Sequence, residues 1–159
     1  PTSPKPAERG EKLMTEALEK ARYYVEQCGC TCALVGKDEV ITSTDRGVAP
    51  LLKLLDAGKN VKGFSAADKV LGKGSALLYV LLGVFEIHTG VISLAALEVL
   101  KAHGVSVYYE QSVETIINRK GDGPCPIETA LEVTNDPMRA VEIIKNTLRK
   151  IKGEKNENS

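Results

Sequence analysis

The stretch from Asp68 to Glu110 constrains the fold more than any other part of the chain, because no other segment stays so apolar for so long. Its pattern predicts a buried helix over residues 69–82, which stops at a glycine, and then a strand over residues 84–88. A second, amphipathic helix over residues 94–103 also stops at a glycine and leads into a strand over residues 105–110. Two strands separated by one helix are expected to lie side by side and parallel, joined by a right-handed crossover.

The segments on either side of this stretch complete an α/β fold. An amphipathic helix near the N-terminus is predicted to precede a β-hairpin over residues 30–42, and a short helix follows over residues 48–55. Asp136 and Pro137 are typical of the start of a final helix. The sequence therefore predicts a three-layer α/β/α domain with a mixed sheet, built from an N-terminal helix, a β-hairpin and parallel strands joined by a crossover helix.

The length of 159 residues and a hydrophobic content of 43% fit one domain with a substantial core. Residues 1–10 are proline-rich and are predicted to be a disordered lead. Residues 11–152 are predicted to form a single domain, and the polar residues 153–159 a flexible tail.

Composition excludes several partners. The formal net charge is zero, so no general field attracts nucleic acid or an acidic membrane. Aromatic residues make up 4% and there is no Trp, which argues against a stacking platform for single strands. No apolar run is long enough to cross a bilayer, and the four cysteines do not form a disulfide framework. We therefore expect a cytoplasmic protein without nucleic-acid or membrane partners.

The segment DKVLGKGSA, from Asp68 to Ala76, is the first candidate site. Backbone N–H groups at a helix start bind anions, and Lys73, with the backbone of Gly72 and Gly74, is placed to hold a phosphate. The alternative is that the two glycines allow another element to approach closely while Lys69 and Lys73 point into solvent. The segment is not a P-loop, because GxxxxGK[ST] is absent.

Two further polar positions lie near predicted strand ends. The segment TGVIS contributes Thr89, Gly90 and Ser93, and ligands of open α/β sheets bind outside the carboxyl ends of strands. Capping of the next helix alone would also explain Ser93. Arg46 lies in a polar corner, where it would bind a carboxylate or phosphate, or be a solvated turn residue.

The cysteines and one long loop give the remaining candidates. The loop NRKGDGPC runs from Asn118 to Cys125, and long ordered loops in compact domains are often functional, although a plain surface excursion is an equal alternative. Cys125 would act as a nucleophile only if a base or a helix start lowered its pKa. The alternating residues Cys28, Cys30 and Cys32 lack the partner pair of a zinc site, and burial as small apolar side chains is the competing explanation.

Four strings carry a family resemblance: STDRGVAPLL, ADKVLGKGSALL, TGVISLAALEVLKAHGV and INRKGDGPCPIE. They resemble a small uncharacterised bacterial family, a domain of unknown function grouped with the cytidine-deaminase-like fold. Zinc deaminases carry H-x-E and P-C-x-x-C at two helix starts, and neither motif occurs in this chain. The resemblance therefore implies a deaminase-like pocket without zinc or another cofactor, no zinc-dependent deamination, and a homo-oligomer.

These observations support three hypotheses. In the first, a pocket between two helix starts binds a nucleotide or a ribose-phosphate-like ligand through Lys69, Lys73, Arg46 and Ser93. In the second, the chain is an enzyme that acts on such a ligand through Lys73, Asp68 or Cys125. In the third, the pocket is vestigial and the chain is a non-catalytic oligomeric scaffold or interaction module.

Overall fold

A computed structural model of the protein describes residues 14–118 and 120–157, with side chains described as far as Gly153. The predicted lead at residues 1–10 lies outside this part of the chain. The helices and strands, in chain order, are α1 (Glu16–Gln27), β1 (Cys32–Val35), β2 (Val40–Ser43), α2 (Ala49–Asp56), β3 (Ser65–Leu71), α3 (Lys73–Leu82), β4 (Glu86–Ser93), α4 (Leu94–Ala102), β5 (Ser106–Val113), α5 (Pro126–Ala130), a 3-10 turn (Leu131–Val133) and α6 (Pro137–Glu157).

The five strands form one mixed sheet in the order β2-β1-β3-β4-β5. β1 is antiparallel to both β2 and β3, whereas β3, β4 and β5 are parallel to one another. The predicted hairpin is therefore present as β1–β2, and the predicted parallel pair is present as β4–β5, joined by α4. The α/β fold class predicted from the sequence is confirmed.

Helices cover both faces of the sheet. Successive residues of each strand point to opposite sides, so each strand contributes side chains to both faces. Leu34 packs into the larger core with residues of α2, α3, α4 and α6, such as Leu51, Leu78 and Ile144. Its neighbours Ala33 and Val35 point the other way, where α1 covers them. A site on the α3 side is thus separated by the whole sheet from a site on the α1 side.

The predicted start of the buried helix is wrong by four residues. Residues 65–71 form the central strand β3, and α3 begins only at Lys73, with Gly72 as its N-cap. Asp68 therefore lies within a strand and does not cap the helix. The pattern misled because a central strand that is buried on both faces reads as a continuous apolar run, and Ala66 and Ala67 favour a helix locally.

The final helix α6 starts as the sequence indicated, since Asp136 Oδ1 accepts a hydrogen bond of 3.0 Å from the Met138 N–H. It continues to Glu157, into the segment for which a flexible tail was predicted. None of the helices in the described ranges has the length and the hydropathy that crossing a membrane requires.

Candidate functional site

The N-terminus of α3 holds a carboxylate from a distant part of the chain. Gly72, the N-cap, has no side chain to accept from the first turn, so the free N–H groups need another partner. Glu128 of α5 provides it. Its Oε1 accepts from the Lys73 N–H at 2.8 Å, and its Oε2 accepts from the Gly74 N–H at 3.1 Å. The partial positive charge of the helix start is therefore matched by an internal anion.

The N-terminus of α4 meets the same carboxylate. Ser93 caps α4, because its Oγ accepts from the Ala96 N–H at 3.1 Å. Its hydroxyl also donates to Glu128 Oε1 over 3.5 Å, the oxygen that the Lys73 N–H already contacts. Two helix starts thus converge on one carboxylate oxygen. The capping role proposed for Ser93 is present together with this second contact.

The Lys73 side chain contacts the turn that follows α5. Lys73 is 8% exposed, and its ammonium donates to the Leu131 carbonyl oxygen at 2.8 Å. This contact holds the turn after α5 against the start of α3.

The glycines of this segment are explained by close approach. A Cβ at Gly72 would lie 2.8 Å from the Glu128 Cδ, and a Cβ at Gly74 would lie 3.0 Å from the Ile127 Cγ2. Larger residues would push α5 away from the helix start. Close approach and an anion at the helix start were alternative explanations for these glycines, and both occur here, because α5 approaches closely and carries the Glu128 carboxylate.

Four other predicted ligand residues lie elsewhere in the described structure. Lys69 is exposed on β3, and Arg46 is exposed in the corner before α2. Thr89 is fully buried in β4, and its hydroxyl donates to the Val91 carbonyl oxygen at 3.0 Å. Gly90 faces β3, and a Cβ there would lie 3.1 Å from the Lys69 carbonyl oxygen. Among the described residues, Glu128 accepts hydrogen bonds from Lys73, Gly74 and Ser93, and from none of these four.

The loop from Asn118 to Cys125 leads into α5, the helix that carries Glu128. Asn118 folds the loop on itself, since its Oδ1 accepts from the Gly121 N–H at 2.8 Å and its Nδ2 donates to Asp122 Oδ1 at 2.8 Å. The Cys125 N–H donates to the Ile116 carbonyl oxygen at 2.9 Å, which ties the far end of the loop back to its start. Cys125 is the N-cap residue of α5, without a side-chain capping bond. The sequence indicated the loop as a candidate but gave no signal for Glu128, which lies three positions beyond Cys125.

A second buried polar group lies beneath α3. The Tyr79 hydroxyl donates to Asp68 Oδ2 at 2.8 Å and lies 3.2 Å from Cys32 Sγ. Burial raises the pKa of Asp68 to about 7, although the Tyr79 hydroxyl and the N–H groups of Val70 and Lys69 act in the opposite direction. Burial also raises the pKa of Cys32 far above its usual range, so this sulfur is a protonated thiol and not a nucleophile.

A cavity of about 280 Å³ lies next to this buried group, between the β1–β2 hairpin and α2. Cys32 lines its inner wall. Asp45 and Lys53 also line it, and they form an ion pair of 2.6 Å. The cavity is open on one side and has charged groups at its surface.

The three clustered cysteines do not converge. Cys28 is exposed, Cys30 is partly buried and Cys32 is buried, and all three are free thiols. In the described part of the chain, their sulfur atoms do not form a group with metal-ligand spacing. The interpretation of Cys32 as a small buried side chain fits its place in the core.

Comparison with known proteins agrees with the fold. The chain is similar to the crystal structure of a DUF1893 family protein (TM1506) from Thermotoga maritima, with a TM-score of 0.77 and 24% sequence identity. The match covers 85% of this chain and 92% of that one, and at this identity it concerns the fold alone. No curated protein matches the chain. The family described as a domain of unknown function, DUF1893, matches residues 20–148. The resemblance seen in the sequence is thereby confirmed at the level of the family, and the chain belongs to DUF1893.

Proposed function

We propose that this chain binds a small phosphorylated ligand, such as a nucleotide or a ribose phosphate, where the starts of α3 and α4 meet. The observation that carries the proposal is the convergence of two α3 N–H groups and the Ser93 hydroxyl on one carboxylate, that of Glu128. A phosphate accepts hydrogen bonds from successive backbone N–H groups in the same way. Glu128 would then occupy the ligand position in the free protein and give way when the ligand binds.

Displacement of Glu128 does not require the surrounding elements to unfold. Leu131 is fully buried and holds the turn after α5 in the core, while Ile127 packs against Gly74. The carboxylate of Glu128 ends a flexible side chain, so rotation about its own bonds frees both α3 N–H groups. The Lys73 ammonium keeps its hydrogen bond to the Leu131 carbonyl oxygen, which is separate from the contacts that Glu128 gives up.

The position of this region in the sheet supports the proposal. β3 ends at Leu71 and leads into α3, and β4 ends at Ser93 and leads into α4. Ligands of open α/β sheets bind outside the carboxyl ends of the parallel strands. The strand order β2-β1-β3-β4-β5, with β1 antiparallel, also supports a relation to the cytidine-deaminase-like fold, in which two helix starts form the reactive pocket.

Isothermal titration calorimetry of the full chain tests this function. The titrants are adenosine monophosphate, ribose 5-phosphate and inorganic phosphate, with adenosine and ribose as unphosphorylated controls. We expect binding that depends on the phosphate group and that is stronger in Glu128→Ala than in the wild-type chain. Glu132→Ala is the matched control, because Glu132 is exposed in the same segment. The proposal is wrong if neither the wild-type chain nor Glu128→Ala binds any phosphorylated titrant at millimolar concentration.

A second candidate function is acid–base catalysis on the same ligand. The observation that favours it is the Asp68 carboxyl, whose pKa of about 7 allows it to exchange a proton near neutral pH. The Tyr79 hydroxyl donates to Asp68 and also contacts Cys32, which lines the cavity of about 280 Å³. Incubation with the bound titrant, followed by NMR of the mixture, tests for turnover. Asp68→Asn should abolish turnover and keep binding, whereas turnover that persists in this variant would exclude Asp68 as the acid–base group.

Two further predictions from the sequence are part of the proposal. Assembly into a homo-oligomer is tested by analytical ultracentrifugation of the full chain, and a single monomeric species would exclude it. A cytoplasmic location follows from the cysteine usage and is tested by cell fractionation.

A further inference from the structure

We propose that the α1 face of the sheet carries a binding site for one divalent transition-metal ion, formed by Glu26, His88 and Glu110. Each residue offers one ligand atom, and these atoms lie within 4.8 Å of one another. The three side chains come from α1, β4 and β5, which are distant in sequence. This site is separate from the proposed phosphate site, because the sheet lies between the two.

The strand register places two of the ligands side by side. His88 on β4 is paired with Tyr108 on β5, so Glu110 lies two positions further along β5 on the same face. His88 Nε2 and Glu110 Oε2 are 2.9 Å apart. His88 is 2% exposed, which fixes its ring direction, whereas the Glu26 side chain is 38% exposed and closes the site from α1.

One imidazole and two carboxylates form a ligand set that suits Zn²⁺ and the neighbouring first-row ions. Binding requires a neutral His88 with its proton on Nδ1, which leaves Nε2 free for the ion. With three protein ligands, a water molecule would complete a tetrahedral shell on the exposed side of Glu26.

One carboxylate oxygen of Glu110 gives independent support for an ion at this site. Glu110 Oε1 is buried and has no hydrogen-bond partner among the described residues, although the other oxygen of the same carboxylate contacts His88. A buried carboxylate oxygen without a partner is unfavourable. An ion held between His88 and Glu26 would also coordinate this carboxylate and remove the deficit.

Arg22 is the group that an ion must displace. Its Nε donates to Glu26 Oε2 at 2.9 Å, and its Nη2 lies 3.7 Å from Glu110 Oε2. The guanidinium therefore neutralises the same two carboxylates in the described structure. Glu19, one helical turn earlier, lies 3.9 Å from Arg22 Nη1 and offers the guanidinium another acidic partner when the ion binds. The arginine and the metal ion are thus competitors for one place.

The proposed ion would act as a structural cross-link. α1 packs mainly on β1 and β3, so a bond from Glu26 to β4 and β5 ties the helix to the other half of the sheet. An ion that binds only the folded chain raises its thermal stability. We therefore expect the midpoint of thermal unfolding to rise when the ion is added.

Equilibrium dialysis of the full chain against Zn²⁺, followed by elemental analysis, is the test. The background carries Cys28→Ser and Cys30→Ser, because the two more accessible thiols of the cysteine cluster would bind zinc themselves. We expect the parent to bind one equivalent of zinc. In Glu26→Gln or His88→Gln, the affinity for zinc should fall by ~10–100-fold or more. Arg22→Gln should bind more tightly than the parent, because it removes the competing cation. The matched control is His103→Gln, which changes an exposed histidine at the end of α4.

Two outcomes overturn the site. The first is zinc bound equally well by the parent and by Glu26→Gln, since this variant changes a partly exposed residue on a helix surface and is expected to fold even if His88→Gln does not. The second is the absence of stoichiometric zinc in both the parent and Arg22→Gln. A thermal shift with zinc in the parent that Glu26→Gln abolishes supports the cross-link and does not depend on any phosphate binding.

Discussion

Replacement of Asp68 by Asn tests whether this buried carboxyl makes the free energy of unfolding depend on pH. Burial raises the pKa of Asp68 to about 7 in the folded chain, from an ordinary value of 3.8. The folded state therefore holds this proton more tightly than the unfolded state does. The contribution of this proton to the free energy of unfolding is therefore fully present below about pH 4. It is lost as the pH rises through about 7.

The magnitude follows from the same two pKa values. They differ by about three, which corresponds to about 4 kcal/mol in the free energy of unfolding, and ~2–3 kcal/mol of it falls between pH 5 and pH 8. Asn at position 68 cannot titrate, and its amide oxygen can still accept from the Tyr79 hydroxyl. Its amide nitrogen would face the N–H groups of Lys69 and Val70, but that penalty is the same at every pH. The variant thus removes the pH dependence that Asp68 contributes.

Urea unfolding at half-unit steps from pH 5 to pH 8 measures this effect in both chains. We expect the stability of the wild-type chain to fall relative to Asp68→Asn by ~2–3 kcal/mol over this range. Tyr79→Phe removes a hydrogen bond that lowers the Asp68 pKa, so in that variant the fall should extend to higher pH. Parallel pH profiles for the wild-type chain and Asp68→Asn would refute a raised pKa at this position.

Three further substitutions test the contacts at the two helix starts by urea unfolding at constant pH. Glu128→Ala leaves two α3 N–H groups without their carboxylate and should lower the free energy of unfolding by ~1–2 kcal/mol. Its control, Glu132→Ala, on the exposed side of the same segment, should change the free energy of unfolding by no more than ~0.5 kcal/mol. Equal effects of the two substitutions would contradict the role of Glu128. Gly74→Ala places a Cβ 3.0 Å from Ile127 and should lower the free energy of unfolding by ~1–3 kcal/mol. Its control, Gly153→Ala, has open space around it in α6 and should raise the free energy of unfolding by ~0.5–1 kcal/mol. A stabilised Gly74→Ala would show that α5 is held more loosely than described. Ser93→Ala removes the α4 cap and should lower stability by ~1 kcal/mol, most of which Ser93→Thr should restore; an unchanged Ser93→Ala would mean that the cap does not contribute.

The sequence predicted the elements whose signals are local. The β1–β2 hairpin, the β4–α4–β5 unit and the capped start of α6 each depend on periodicity, a glycine stop or a capping residue within a few positions. β3 was missed for the opposite reason. Its central residues Ala66 and Ala67 are small because helices pack on both of its faces, and small residues carry no strand signal. The error moved Asp68 from the middle of a strand to the start of a helix.

The candidate sites depend on contacts that no local pattern reveals. Lys69, Lys73, Arg46 and Ser93 were predicted as a group because helix starts and strand ends are visible in the sequence, and of these only Lys73 and Ser93 contact Glu128 in the described structure. Glu128, the residue that fills the place between them, reaches Lys73 across 55 positions from a helix of five residues, too short for a periodic pattern. His88 and Glu110 become neighbours only through the register of β4 and β5, which the sequence does not specify.

The internal carboxylate also sets how tightly an external phosphate can bind. If the contacts of Glu128 with the α3 start are worth about 2 kcal/mol, only about one chain in 30 leaves the N–H groups open, and the apparent affinity falls about 30-fold below the intrinsic one. Glu128→Ala should therefore tighten phosphate binding by up to ~30-fold, and Glu128→Gln by less, because the amide oxygen still accepts from one N–H. Binding of phosphate with equal affinity to the wild-type chain and Glu128→Ala would mean that the ligand occupies another place, because any ligand at the α3 start must compete with this side chain.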